Sequence, residues 1–207
     1  SLGEIEARAA AARAVGRRLK AVLHIDTGMN RLGLTLAEAE RLLTETDHLG
    51  ALDLTFVMSH LAAADQPDHP LNARQSAAFG AIRRLFPGLK TSFANSAGTF
   101  LGPAFHGDLI RPGIALYGGV YRAGHPPLQS VVTLEARIIQ VRNVPAGETV
   151  GYGGAETVTR DSRVAIVALG YADGYHRRAG SSDGARGARA RLGGLDCPIL
   201  GRVSMDL

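Results

Sequence analysis

One change of rhythm constrains this chain more than any other feature. Across roughly its first two thirds, helix-forming and strand-forming segments alternate with short connections; beyond Tyr121 helical periodicity is absent. The Ala/Arg-rich residues 4–20 read as a helix and AVLHI (21–25) as a buried-type strand. Residues 36–46, with Leu36, Leu42 and Leu43 near helical spacing, read as an amphipathic helix. LTFVMSH (54–60) is a second β-rich run, and residues 71–86 form a long helix stopped by Pro87 and Gly88. KTSFA (90–94), a helix start at 95–100 and LIR (109–111), closed by Pro112 and Gly113, complete the series. Such alternation predicts parallel βα units. Four strands at this spacing suit half of a (β/α)8 barrel, whose units run to roughly 30 residues each. An open doubly wound sheet is the competing layout, and it is weakened because no GxGxxG follows a strand.

The second part reads differently. VVTLEARIIQVRNV (131–144) is a long β-rich run, PAGETVGYGG (145–154) is turn chemistry, and RVAIVAL (163–169) follows. ARARLGGLDCPILGRVSM (188–205) carries a Gly-Gly hairpin signal. The expected fold class is therefore α/β: a partial (β/α)8 TIM-type barrel over residues 1–121, a linker containing HPPLQ, and a partial all-β domain over residues 128–207. With 45% hydrophobic residues a packed core is expected rather than disorder. No run approaches the roughly 18 apolar residues of a membrane span. The single cysteine, Cys197, excludes an internal disulfide framework and a Cys-cluster zinc site, so no metal is expected. The N-terminus lacks a signal-peptide core, which makes the cytoplasm the default compartment. It also lacks Met, and the chain stops just after the strand-like GRVSMD; both features suggest that a longer protein continues on either side.

The net charge of +4 comes almost entirely from arginine, since only Lys20 and Lys90 are lysine. Arg177, Arg178, Arg186, Arg189 and Arg191 sit among Gly, Ala and Ser with no aromatic residue after Tyr175. Without stacking platforms this run reads as a solvated, mobile loop, and no nucleic-acid partner is expected.

In a barrel, chemistry collects where strands end. Those ends read HIDTGMNRLG, SHLAAAD, FANSAG and IRPGIALYGG. NSAG offers the Ser96 hydroxyl and N–H groups at a helix start, an anion site by the helix-terminus argument or else a plain N-cap. Gly113 and Ile114 offer N–H groups after the next strand, and two such late turns are where barrel enzymes often bind phosphate. His60, at the end of a strand, is a candidate site residue or a satisfied core histidine. Arg31 and Arg111 flank the same inferred face, as anion ligands or as structural ion-pair partners. Tyr171 stands just before the tight turn at Asp173-Gly174, in a packing or a chemical role.

Taken in order, DTGMNRLG (26–33), SHLAAAD (59–65), ANSAG (94–98), IRPGIALYG (110–118), VGYGG (150–154), GYADGY (170–175) and GRVSMD (201–206) closely resemble the alanine racemases, pyridoxal-phosphate enzymes with a barrel and a C-terminal β-domain. The resemblance spans nearly the whole chain. It implies interconversion of L-alanine and D-alanine by two-base proton transfer through a pyridoxal-phosphate aldimine, supplying D-alanine for peptidoglycan. It further implies that Ser96 and the main chain of Gly113 and Ile114 hold the cofactor phosphate, that Arg111 faces the pyridine nitrogen, and that His60 packs near the ring. Arg31 and the Met205 N–H would hold the substrate carboxylate, and Tyr171 would be one base. Tyr171 and Met205 would reach a partner subunit's cofactor, so a homodimer with shared active sites is implied.

Two departures stand out. The family's Schiff-base lysine motif, resembling VVKANAYGHG, is absent. Lys20 is expected at the end of a helix and Lys90 at the start of a strand, neither on the catalytic face. The chain is thus expected to begin after about three βα units of a barrel, to stop within the β-domain, and to be inactive alone. The second departure is His24. Many members carry a lysine there, whose carbamate positions the arginine corresponding to Arg31. A non-catalytic pyridoxal-phosphate-binding protein and a racemase of broader amino-acid specificity are the alternatives. A decarboxylase of like architecture is disfavoured because Cys197 lies outside any matching motif.

Overall fold

A computed structural model describes residues 1–45 and 47–207. They form two compact units, residues 1–132 and 133–207.

In the first unit, helix α1 (Leu2–Ala14) starts at a capping box in which the Ser1 hydroxyl accepts the Glu4 N–H at 3.4 Å and the Glu4 side chain reaches back to Ser1. The helix is shorter than the composition of residues 4–20 suggests, because Gly16 takes a left-handed φ of 64° and turns the chain. Leu19 and Lys20 therefore open strand β1 (Leu19–His24) instead of closing the helix. Helix α2 (Leu36–Glu45) follows, and its expected last residue, Thr46, lies outside the described residues. Strand β2 (Leu52–Met58) leads to helix α3 (Pro70–Leu85), which is entered through Pro70 with the His69 ring accepting the Leu71 N–H at 3.1 Å. Strand β3 (Lys90–Ser92) and the single turn α4 (Ser96–Thr99) complete the series.

The three strands pair in parallel in the order β1-β2-β3. Leu23, Ile25, Val57 and Phe93 from the strands and their ends pack with Leu42, Phe79 and Ile82 from the helices to make one buried apolar cluster. The expected fourth strand, LIR, is reduced to one parallel bridge between Leu109 and Ser92, with the Arg111 N–H bonded to the Ala94 carbonyl at 2.9 Å. Pro112 has no N–H to extend the ladder, so pairing ends there. Parallel pairing places the ends of all these strands at one edge: His24 is level with Met58, Met58 with Ser92, and Ser92 with Leu109. Lys20 pairs with Asp53, near the opposite edge, and Lys90, the first residue of β3, pairs with Phe56.

The second unit is built from short antiparallel pairs. Strand β4 (Ile138–Val144) is followed by β5 (Thr149–Val150), β6 (Glu156–Thr157), β7 (Ser162–Val167), β8 (Arg189–Leu192) and β9 (Leu195–Pro198). β4 pairs with β7, β5 with β6, and β8 with β9. Gly193 and Gly194 make the last turn with φ of 54° and 84°, the geometry the Gly-Gly signal predicts. Residues 131–137, β-rich in composition, form no strand, because the β7 ladder ends where Ile138 meets Val167. The Arg-rich segment also departs from the expected free loop. Asp183 accepts both the N–H and the hydroxyl of Thr157, at 2.6 and 2.9 Å, and the buried Ser181 donates to the Ile199 carbonyl at 2.7 Å and bonds Glu156. Among the described residues no helix is long and apolar enough to cross a membrane.

Candidate active site

The edge where β1, β2 and β3 end carries the chemistry of the first unit. Directly after β1, the Asp26 carboxylate accepts the N–H groups of Gly28, Met29 and Asn30 at 3.1, 2.9 and 3.0 Å, closing a tight loop. Gly33 permits that closure: a Cβ on it would lie 2.8 Å from the Asp26 nitrogen, and its φ of 108° excludes most side chains. The loop presents Arg31 to solvent.

Arg111 is half-buried and, among the described residues, has no carboxylate hydrogen-bond partner. Its guanidinium donates to the Ser59 carbonyl at 2.7 Å and to the Ser92 hydroxyl, and it stands 3.5 Å from His60 Nδ1. Burial lowers its pKa from the ordinary guanidinium value, yet such a group stays cationic near neutral pH. Burial first, and then the positive charges of Arg111, Arg31 and His24, push the His60 pKa down. His24 is pushed down as well, by burial and then by Arg111, with Asp26 opposing and Arg31 adding to the fall. Both imidazoles are therefore held toward the neutral form beside a fixed cation.

Ser96 opens α4 beside them. Its hydroxyl accepts the Gly113 N–H at 2.7 Å and the Ala115 N–H at 3.3 Å, tying two strand-end turns together. Asn95 caps the turn, accepting the Gly98 N–H at 2.9 Å while donating to the Leu61 carbonyl at 3.1 Å. A cavity of about 410 Å³ opens here, and its wall includes His60, Asn95, Ser96, Arg111, Gly113 and Ile114. The structure thus gathers five of the predicted residues, His60, Ser96, Arg111, Gly113 and Ile114, around one cavity. Arg31 is not in its wall.

In the second unit Tyr171 and Met205 come together through the main chain. The Tyr171 N–H donates to the Ser204 carbonyl at 3.0 Å, and the Ala172 N–H to the Met205 carbonyl at 2.9 Å. Gly170 lets the two segments touch, since any Cβ on it would collide with the Met205 carbonyl. Asp173 folds back to accept the Gly170 N–H at 2.9 Å. The Arg177 guanidinium lies 5.6 Å from the centre of the Tyr171 ring, within cation–π range.

Sequence reading alone passed over Gln75. It lies on α3, fully buried, and bonds the Ala62 N–H, the His60 carbonyl and the Thr27 hydroxyl. A polar residue among the apolar positions of α3 was the available signal.

Comparison with known proteins agrees with this geometry. The family described as "Alanine racemase, N-terminal domain" matches residues 1–120, and "Alanine racemase, C-terminal domain" matches residues 131–207. The chain is 48% identical over 205 residues to a protein named alanine racemase from Rhodospirillum rubrum, covering 99% of the chain and 54% of that relative. It is 48% identical over 207 residues to a catabolic alanine racemase from Agrobacterium fabrum, covering 100% of the chain and 52% of the relative. The crystal structure of alanine racemase from Bartonella henselae with covalently bound pyridoxal phosphate superposes with a TM-score of 0.83 at 37% identity, over 100% of this chain and 56% of that one. The chain therefore spans about half the length of the relatives it matches. Its fold class is that of these structures, an α/β partial barrel of the (β/α)8 type followed by a partial all-β domain.

Proposed function

The chain belongs to the alanine racemase family, and we propose that its residues serve the interconversion of L-alanine and D-alanine with pyridoxal 5'-phosphate. The observation that carries this reading is the convergence of His60, Ser96, Arg111, Gly113 and Ile114 on one cavity at the strand-end edge. The cavity's 410 Å³ falls in the range of small-molecule sites. Its lining suits a flat, anionic ring compound: it offers a hydroxyl, main-chain N–H groups, a fixed cation and an imidazole. Bound there, the cofactor supplies an electron-accepting ring that acidifies the α-proton of an attached amino acid.

The remaining steps belong to this chain's own residues. Ser96, with the N–H groups of Gly113 and Ile114, would hold the phosphate. Arg111 would face the ring nitrogen. Its guanidinium is clamped by the Ser59 carbonyl and the Ser92 hydroxyl, so with the cofactor bound a fixed positive charge would face the ring nitrogen and oppose its protonation. That would moderate the ring's electron demand and favour return of a proton over side reactions. His60 would pack beside the ring. Tyr171 would take or return the α-proton at its phenol oxygen. Arg31 and the Met205 N–H would hold the substrate carboxylate.

Tyr171 and Met205 are read as reaching the cofactor of a second copy, which makes the working form a homodimer. The product D-alanine would feed peptidoglycan synthesis in the cytoplasm. The reaction needs a second base and a lysine attachment point, and neither Lys20 nor Lys90 ends a strand at the cavity edge. The 207 residues by themselves are accordingly expected to be inactive. The test expresses the complete coding sequence and follows D-alanine formation from L-alanine with and without added pyridoxal phosphate. Turnover by the 207 residues alone, with borohydride fixing the cofactor to Lys20 or Lys90, would overturn the second part of the proposal. Absence of cofactor-dependent turnover in the complete protein would overturn the first.

A further inference from the structure

We propose that Gln75 is a positioning residue for the His60–Arg111 pair, its buried carboxamide fixing the main chain that presents both. The inference rests on the cavity being the cofactor site.

Gln75 is fully buried, and both its carbonyl oxygen and its amide nitrogen are hydrogen-bonded. Its carbonyl oxygen accepts the Ala62 N–H at 2.9 Å. One amide proton goes to the His60 carbonyl at 2.9 Å and the other to the Thr27 hydroxyl oxygen at 3.1 Å. Thr27 in turn pairs with the Ser59 hydroxyl at 2.7 Å, and the Ser59 carbonyl accepts Arg111 at 2.7 Å. One side chain from α3 therefore grips the main chain at His60 and Ala62 and reaches the Arg111 clamp through the buried hydroxyls of Thr27 and Ser59. A residue needed only to fill space would not require an amide. The partners of Gln75 lie in or beside the segment that carries His60 and supplies the Arg111 clamp.

The charged groups facing His60 are Arg111, Arg31 and His24, with Asp26 acting on His24 and Asp65 in the cavity wall. Burial and Arg111 lead in holding His60 below its ordinary titration range. If the 59–62 segment relaxes, His60 loses its fixed place 3.5 Å from Arg111 and part of its burial, and its midpoint is expected to rise.

The experiment compares the complete protein with Gln75→Met, close in size and apolar, and Thr27→Val, which removes only the hydroxyl arm. Circular dichroism checks folding. The His60 imidazole is titrated by NMR on histidine-labelled, cofactor-free protein, and kcat and KM for L-alanine are measured on the loaded enzyme. The expected result for Gln75→Met is a raised His60 midpoint and a loss of about 100-fold in kcat with little change in KM, the size a misplacement of about 1 Å can cause. Thr27→Val should move both in the same direction by less. A folded Gln75→Met protein with the wild-type midpoint and kcat overturns the proposal. If Gln75→Met does not fold, Thr27→Val decides, and an unchanged midpoint there overturns it. Should the unsubstituted protein neither bind pyridoxal phosphate nor racemise alanine, the functional reading fails, while the His60 midpoint still tests the positioning role.

Discussion

In residues 1–132 the cavity residues stand on a packed core; in residues 133–207 Tyr171 and Met205 stand on main-chain hydrogen bonds. His60, Ser96 and Arg111 are carried by segments backed by Phe93, Val57 and Ile25, all essentially inaccessible. Tyr171 and Met205 are carried by a unit whose buried apolar residues are Val158 and Val203, while Ile138, Ile139 and Val141 of β4 are exposed. Side-chain volume sets the geometry in the first unit. Backbone approach sets it in the second, where Gly170 and Gly180 touch neighbouring main chain too closely to admit a Cβ. The two units should therefore break under different substitutions.

The largest effect is expected from emptying the core. Phe93 stacks on Phe79 with ring centres 4.5 Å apart, and Phe93→Ala should cost about 3–5 kcal/mol in denaturant unfolding. Ile139→Ala, at a residue 53% exposed, should stay within about 0.5 kcal/mol. Equal costs would erase the contrast. The reverse test adds an atom. Gly170→Ala drives a methyl into the Met205 carbonyl and should cost about 1–3 kcal/mol, with faster hydrogen exchange at the Ala172 N–H. Gly184→Ala, with open space around it and no left-handed φ, is the control and should be near neutral.

Protons sharpen the comparison further. His24 and His60 titrate lower in the folded chain than in an unfolded one, so between those values the unfolded chain binds more protons. Their contribution is complete above the unfolded value near pH 6.5 and declines as pH falls below it. A second, more acidic window is shared by both units. Asp108 accepts the N–H and hydroxyl of Thr91, Asp183 does the same for Thr157, and both pKa values are lowered first by the main-chain bond. Their contributions are complete above about pH 4 and lost as pH falls below it. Unfolding followed from pH 8 to pH 3 should show both windows, and replacing His24 and His60 by Asn should remove only the first.

What the sequence made legible depended on how local the physics was. The Gly193-Gly194 turn was readable because a two-residue hairpin depends on its own dihedrals. So were α3 and its stop at Pro87-Gly88, and the five cavity residues, because each sits in a short motif just after a strand-like run. Residues 131–137 misled because β composition describes a side-chain preference, while a strand also needs a partner, and β7 supplies none that far. The Arg-rich segment was legible in part: its five arginines are solvent-exposed, as its composition suggests, yet Ser181 and Asp183 fasten it to β6, and Arg189 and Arg191 belong to β8. Gln75 was hard to read because its partners lie 13 to 48 positions away in sequence, and its place on the Phe79 and Ile82 face of α3 is the one local hint that the amide is used.

The smallest expected effect tests whether charge contributes to holding the second unit. Arg189 and Arg191 stand 3.3 and 3.5 Å from the Asp196 carboxylate across the β8–β9 hairpin. Asp196 is more than half exposed, so its Coulomb gain is screened by water and salt, and ordering two long arginines opposes it. Asp196→Asn should lower stability by less than about 1 kcal/mol, and the difference should shrink as salt is raised. The register of the hairpin should survive the change, because it is set by the two left-handed glycines and by the Arg189–Pro198 to Leu192–Leu195 pairing. A larger, salt-sensitive loss with slipped pairing would mean that this hairpin is held by its charges, and the contrast between a core-built unit and a backbone-built unit would need a third term.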